Sequence, residues 1–252
     1  ASMTLTRELK RRGVNVIART AVDRVDTGAN LGATVHYRQG DSDEDRTAYG
    51  EVVLAAIGRV PNTDADWFRS SGLKLDERGY VTVDGYGRTN LDGVWALGDI
   101  TPGHALAHRA FEQGITIAEK IAGTDPKPVI DDTVPQVVFS FPEAASVGLT
   151  LDQAKAREDV VEPKETAYPM LSNARMLMSG EGGSMTVVSG AFANNPDMQV
   201  VLGVHIVSPI ASDLIAEAEQ LVGNRVPLAD AARLIHPHPT FSETLGEALL
   251  KA

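Results

Sequence analysis

Val94-Trp95-Ala96-Leu97-Gly98-Asp99 is an apolar run that stops on Gly-Asp, and its neighbours make it informative. After a short loop, residues 105–122 carry Leu106, Ala110, Ile117 and Ile121 near a 3.6-residue period, and Gly123 stands where such a helix ends. A buried strand closed by glycine and followed by a helix is the building unit of an α/β sheet. Glycine at the strand end lets a ligand approach the backbone, because no Cβ intervenes. An aspartate at the carboxyl end of such a strand lies where ligands of open α/β sheets bind, and its carboxylate can accept from sugar hydroxyls. The first turn of the helix offers free N–H groups and a positive dipole end. Read alone, the Gly-Asp pair is better explained with Asp99 as a turn cap.

Toward the N-terminus the pattern recurs. Val52-Val53-Leu54-Ala55-Ala56-Ile57 is continuously apolar and ends at Gly58, as expected of a strand covered on both faces in a parallel sheet. Gly58 marks a second close backbone approach, and Arg59 is either a partner for phosphate or carboxylate or a solvated loop residue. Further strands are expected at 14–18, 34–38, 51–55 and 80–83, a helix at 7–12, and a polar surface turn at 39–49. A domain rarely begins with one short helix and a buried strand, so the start reads as the tail of something larger.

Toward the C-terminus the composition changes at Thr124-Asp125-Pro126-Lys127-Pro128, a domain boundary. Beyond it, strands are expected at 136–141, 145–147, 160–168, 184–189 and 199–207, and helices at 151–158, 211–222, 228–235 and 241–251. Grouped strands and helices of this kind make an α+β domain with a mostly antiparallel sheet.

The chain holds 252 residues with 23 Lys plus Arg against 34 Asp plus Glu, a net charge of -11, which argues against nucleic acid as a partner. No apolar stretch is long enough to span a bilayer and the opening residues carry no secretory signal, so a cytoplasmic protein is expected. There are no cysteines, which excludes disulfides, thiolate metal sites and cysteine nucleophiles from these residues.

His236-Pro237-His238-Pro239-Thr240-Phe241-Ser242-Glu243 is the remaining chemical candidate. The prolines stiffen the segment just ahead of a helix. An imidazole, with an ordinary pKa of about 6.5, works as acid and base at neutral pH. Glu243 can orient His238 by accepting from one ring nitrogen, or it can close an S/T-x-x-E capping box on the backbone of Thr240. A zinc site on His236 and His238 lacks a third ligand at a telling spacing, so no metal is expected.

Taken in order, these segments resemble the C-terminal half of a flavin-dependent pyridine nucleotide-disulfide oxidoreductase, and within that family the dihydrolipoyl dehydrogenases. The similarity is carried by 53–63 (VLAAIGRVPNT), 89–99 (TNLDGVWALGD), Leu106-Ala107-His108 with Glu112 and Gly114, 135–150 (PQVVFSFPEAASVGLT) and the HPHPTFSE segment. The resemblance implies an α/β fragment followed by an α+β dimerisation domain. Residues 1–63 would be the end of an NAD-binding domain, 64–127 the second part of an FAD-binding domain, and 128–252 the dimerisation domain. It implies FAD and NAD as cofactors, Asp99 on the flavin's ribitol beside Gly98, and Leu106, Ala107 and His108 near the flavin ring. It implies His238 as acid/base for a dithiol, Glu243 as its orienting partner, and a homodimer in which the histidine serves the partner subunit's site. A lipoamide-type substrate and a 2-oxo acid dehydrogenase complex follow from the same resemblance.

The departures set limits. Neither G-x-G-x-x-G nucleotide fingerprint is present, nor the redox cysteine pair. The chain is therefore expected to be a fragment, inactive alone, whose alternatives are another disulfide or quinone reductase of the family and a non-catalytic dimerisation module. Pro237 stands where the family often has Ala, and residues 182–191 depart from its usual Gly-Phe-Val-Lys pattern.

Overall fold

The computed structural model describes residues 1–28 and 32–252. The chain divides into a small unit, residues 9–59, and a large one, residues 1–8 with 60–252. The first helix, α1 (Ser2–Arg11), precedes three strands of the small unit: β1 (Thr20–Thr27), β2 (Ala33–Gln39) and β3 (Arg46–Gly50). They form an antiparallel meander in the order β1-β2-β3. Most of its side chains face water, so polar cross-strand pairs accompany the backbone ladder. The Arg38 guanidinium donates to both oxygens of Asp23, at 2.9 and 2.6 Å. Beside it, His36 Nε2 lies 2.9 Å from Asp26.

The apolar run at 52–57 is not the covered parallel strand that its composition suggests. Val52 is 86% exposed, Leu54 88% and Ile57 96%. No strand of the described residues pairs with it, and an apolar run alone cannot bury both of its faces. The strands expected at 14–18 and 51–55 are likewise replaced by β1 and β3, the latter inside the expected polar turn. Thr and Tyr at alternate positions of β3 favour an edge strand, whereas a continuous apolar run without neighbours gains nothing from pairing.

In the large unit, residues 60–100 are held by short elements: α2 (Asp66–Ser70) and isolated antiparallel bridges Leu75 to Val81 and Arg88 to Trp95. Phe68, Val81 and Ala96 form a small core beneath them. The expected strand at 94–97 therefore makes one bridge, and Val94 and Leu97 stay more than a third exposed. The expected strand at 80–83 is similarly reduced to the bridge at Val81. The helix that follows is α3 (Ala107–Ile121), close to its expected bounds.

The remaining elements are β4 (Gln136–Val138), β5 (Glu143–Gly148), α4 (Leu151–Ala156), β6 (Val160–Pro169), α5 (Ala174–Ser179), β7 (Ser184–Phe192), β8 (Asn195–Ser208), α6 (Ala211–Gly223), α7 (Leu228–Ala231) and α8 (Glu243–Lys251). Five strands make one antiparallel sheet in the order β4-β5-β8-β7-β6. β8 occupies the centre, and its Val-Val-Leu-Gly-Val-His-Ile-Val run is buried from residue 200 onward. One core joins Val147, Met185, Val187, Val204 and Ile206 to Ile215 and Leu221 of α6 and to Leu245 and Leu249 of α8. Each fully buried side chain of this size contributes about 1.5–3 kcal/mol. On the other side, Ala154 of α4 packs against Val160, Val188, Val200 and Leu202. Thr150 and Gln153 close a reciprocal capping box at the start of α4. This places α6 and α8 side by side on one face of the sheet, with residues 232–242 between α7 and α8.

Candidate active site

The HPHPTFSE segment is anchored at several points around one exposed ring. His238 Nδ1 lies 2.8 Å from Glu243 Oε1, and the His238 side chain is 74% exposed against 25% for Glu243. The other oxygen of Glu243 accepts the Thr240 N–H at 2.8 Å. One carboxylate thus does both things its spacing allows: it caps the backbone and holds the ring. The two are compatible because each uses a different oxygen. The Thr240 N–H, and secondly the His238 ring, hold the Glu243 carboxyl below its ordinary range. An ionised carboxylate only accepts, so Nδ1 of His238 carries the proton and Nε2 presents its lone pair outward.

Thr240 is fixed in turn. Its Oγ1 donates to the Pro237 carbonyl at 2.6 Å, and its carbonyl accepts from Asn173 Nδ2 at 2.9 Å. Asn173 is the N-cap of α5, where its Oδ1 accepts the Met176 N–H at 3.1 Å. The Arg175 guanidinium lies 5.8 Å from the Phe241 ring centroid. Upstream, His236 Nε2 is 2.8 Å from Glu217 Oε1 of α6, with the His236 side chain only 8% exposed. The two rings thus have different carboxylate partners. Among the described residues, no group of three His, Asp or Glu side chains is arranged to hold a metal ion.

The second candidate cluster surrounds Gly98. Gly98 is buried, has φ +72°, and a Cβ there would touch Ala110 of α3 at 3.4 Å. Its N–H donates to Gln113 Oε1 at 2.9 Å, which ties the turn to α3. Asp99 follows in an exposed one-turn 3-10 helix. Leu106 is the N-cap of α3 without a side-chain cap, and Ala107 and His108 are exposed in its first turn. Helix geometry leaves the first-turn N–H groups without intrahelical partners. A bare helix N-terminus, an exposed carboxylate and a glycine close to the helix fit an elongated ligand carrying hydroxyls and an electron-rich ring edge. His108 Nε2 donates to the Pro135 carbonyl at 2.7 Å, so its ring ties α3 to the residue before β4.

Two neighbours of this cluster carry no signal in the sequence. Arg109 is buried, donating through Nε to Asp131 Oδ1 at 2.6 Å and through Nη2 to the Pro102 carbonyl at 2.6 Å. This clamp holds the loop ahead of α3 to residues 131–133. Gly58 and Arg59 are exposed at the end of the small unit, in a stretch without regular secondary structure. No hydrogen bond among the described residues joins the 98–108 segment to the 236–243 segment.

Asn173 and Glu217, which hold the HPHPTFSE segment, are not indicated as its partners by the sequence. Asn173 had a readable signal, an N-cap residue ahead of a short helix. Glu217 is one acid among several on an amphipathic helix, and only the chain's return beside α6 distinguishes it.

Two family models match most of the chain. Residues 1–114 match the pyridine nucleotide-disulphide oxidoreductase family, and residues 134–249 match its dimerisation domain. A dihydrolipoyl dehydrogenase of Cupriavidus necator is 39% identical over 246 residues, 97% of this chain and 50% of that protein. One from Geobacillus stearothermophilus is 37% identical, with 97% and 50% covered. The crystal structure of LpdA from Mycobacterium tuberculosis superposes with a TM-score of 0.83 at 30% identity, over 99% of this chain and 52% of that one. The chain spans about half the length of the curated relatives it matches. With the two matched regions running in family order, the chain belongs to the pyridine nucleotide-disulphide oxidoreductases and carries their dimerisation domain.

Proposed function

We propose that this chain is the C-terminal half of an FAD- and NAD-dependent dihydrolipoyl dehydrogenase, supplying the acid/base pair and part of the flavin site. The observation that carries the reading is the 2.8 Å contact between His238 Nδ1 and Glu243 Oε1, which leaves Nε2 of an exposed ring as a directed base. In this reading Nε2 accepts a thiol proton from dihydrolipoamide as the sulfur attacks the redox disulfide of the parent's cysteine-bearing half, whose S–S bond breaks to release a thiolate. Glu243 stabilises the imidazolium, and the proton leaves to solvent or returns to a departing thiolate. FAD, held by Asp99 and the start of α3, would supply a two-electron acceptor, with NAD as the final acceptor. Asp99 would accept from the ribitol hydroxyls beside Gly98. Leu106, Ala107 and His108 would bring backbone groups to the flavin ring, while Gly58 would allow close backbone approach to a cofactor and Arg59 would pair with a phosphate or carboxylate.

The proposal includes the division into residues 1–63, 64–127 and 128–252, a homodimer in which His238 serves the partner subunit's site, and a cytoplasmic setting in keeping with the acidic, cysteine-free composition. Docking to a 2-oxo acid dehydrogenase complex belongs to it as well. The 252 residues contain no cysteine, so alone they would not turn over dihydrolipoamide.

The test is His238→Gln in the holoenzyme that joins this chain to the cysteine- and fingerprint-bearing half. Dihydrolipoamide turnover should fall by about 10²–10⁴-fold. Flavin-mediated transfer from reduced nicotinamide to ferricyanide moves no thiol proton and should persist. Intact dihydrolipoamide turnover would reject the assignment.

A further inference from the structure

The acid/base pair leaves a second histidine of the same segment unused. His236 is two residues upstream, its ring buried where that of His238 is exposed. Its Nε2 donates to the Glu217 carboxylate of α6 at 2.8 Å. Its other edge lies against α8 at Gly246, where an added Cβ would sit 2.7 Å from Nδ1. Gly246 has no positive φ, so the glycine matters here for space alone. It also stands three residues after Glu243, on the same helical face. One face of α8 therefore receives both histidines: Glu243 takes the ring of His238, and Gly246 makes room for the ring of His236.

Between the rings is Pro237, whose φ is fixed and whose carbonyl accepts from Thr240 Oγ1. Thr240 is itself held by Glu243 and Asn173. The backbone of His238 is thus pinned on both sides, by Thr240 downstream and by the buried His236 ring upstream. A largely exposed side chain owes its aim to its backbone, because few contacts of its own restrain it. Only one ring nitrogen of His238 is tied, which leaves the ring's position dependent on where the segment is fixed.

We propose that His236 is a positioning residue: through its bond to Glu217 and its seat over Gly246, it sets the aim of the His238 base toward the dithiol. The inference rests on the acid/base reading of His238. A misplaced base slows proton transfer without weakening substrate binding, so the loss falls on kcat rather than KM.

The experiment compares His236→Leu, Glu217→Leu, Glu217→Gln and Gly246→Ala in the flavin-loaded holoenzyme, with His238→Gln as the reference. Two turnovers are measured on each: dihydrolipoamide with NAD, and reduced nicotinamide with ferricyanide. His236→Leu, Glu217→Leu and Gly246→Ala should each lower kcat for dihydrolipoamide by about tenfold, with KM little changed. The ferricyanide turnover should stay within about twofold of wild type. Glu217→Gln keeps an acceptor oxygen for Nε2 and should recover most of the loss. Should His236→Leu fail to fold, the contrast of the two Glu217 variants and the Gly246 variant decides. Unchanged dihydrolipoamide kcat in these variants overturns the proposal, as does a parallel fall of both turnovers, which marks a general structural role. If His238→Gln itself leaves dihydrolipoamide turnover intact, the acid/base reading fails and this inference fails with it. If His238→Gln abolishes turnover while the Glu217 and Gly246 variants are silent, this inference alone falls.

Discussion

Glu243 and Thr240 are joined by a 2.8 Å backbone-to-carboxylate bond, made while the same carboxylate holds His238 with its other oxygen. The bond ties the turn ahead of α8 to the orientation of the candidate base. It also keeps the carboxylate ionised, because the N–H of Thr240 and the ring of His238 both favour the charged form.

Replacing Glu243 by Gln should therefore separate the two duties. One amide oxygen can serve Thr240 or His238, and the amide NH₂ must face the remaining donor. Dihydrolipoamide kcat in the holoenzyme should fall by about 10–100-fold, with the ferricyanide route retained. In the unsubstituted protein the sign of the pH effect follows from the lowered carboxyl pKa. The contribution of Glu243 to stability is fully present above the ordinary carboxylate range and is lost as pH falls through the folded-state value. Acid unfolding followed by circular dichroism should accordingly begin at higher pH in the Gln variant.

His205 predicts a second pH effect, of different origin. It is buried on β8, with Nε2 donating to the Leu149 carbonyl at 3.2 Å. Burial, its largest influence, pushes its pKa below the ordinary 6.5. The unfolded chain then binds the proton more readily than the folded one. The neutral ring's contribution is present above pH 6.5 and is lost as pH falls toward the folded value. The slope for this single group is at most about 1.4 kcal/mol per pH unit. Denaturant unfolding between pH 7 and pH 5 should show it, and His205→Gln should flatten it.

Gly203 lies where β8 passes the end of β5. A Cβ there would collide with the Leu149 carbonyl, and neighbouring Gly148, at φ +78°, meets the Leu202 carbonyl in the same way. The colliding atoms are backbone of a buried sheet and cannot swing aside. Gly203→Ala should cost about 3 kcal/mol, read as a shift in the urea midpoint. An alanine at Gly180, where a Cβ meets nothing within 4 Å, should cost less, limited to the strain of its φ of +70°.

Arg109 and Asp131 offer a test of the scaffold at the start of α3. The arginine is 7% exposed at its side chain and the aspartate 40%. Asp131→Ala would leave the guanidinium buried with the Pro102 carbonyl as its remaining bond, and Arg109 Nη1 already has no partner. Stability should drop by about 1–3 kcal/mol. The loop at 101–106 should loosen, visible as faster amide exchange in the first turn of α3.

The dimerisation domain was the most legible part of this chain. Its strands alternate or run apolar, and its helices have clean periods and caps, as at Thr150 and Gln153. Local pattern and global packing agree there, because sheet and covering helices come from one stretch of sequence. Residues 52–57 and 94–97 depart from their sequence pattern for the converse reason. Their composition describes a strand with covered faces, and no strand of the described residues lies alongside to cover them.

For the candidate site, the order of residues settles which groups are present: two histidines between prolines, a carboxylate five residues after the second, and no thiol in 252 residues. It equally determined the Gly98-Asp99 turn ahead of a helix. How these groups divide their bonds depends on the packing of distant elements. Glu243 serves ring and backbone together, because α8 begins at a turn that presents its oxygens in two directions. His236 is buried and His238 exposed, although the two are alike in local sequence. The difference lies in α6 and α8, which pack side by side on the sheet and bring Glu217 and the bare backbone of Gly246 to the first ring. Spacing along a chain sets what can meet locally, whereas partners from elements packed tens of residues apart exist only once the core has closed.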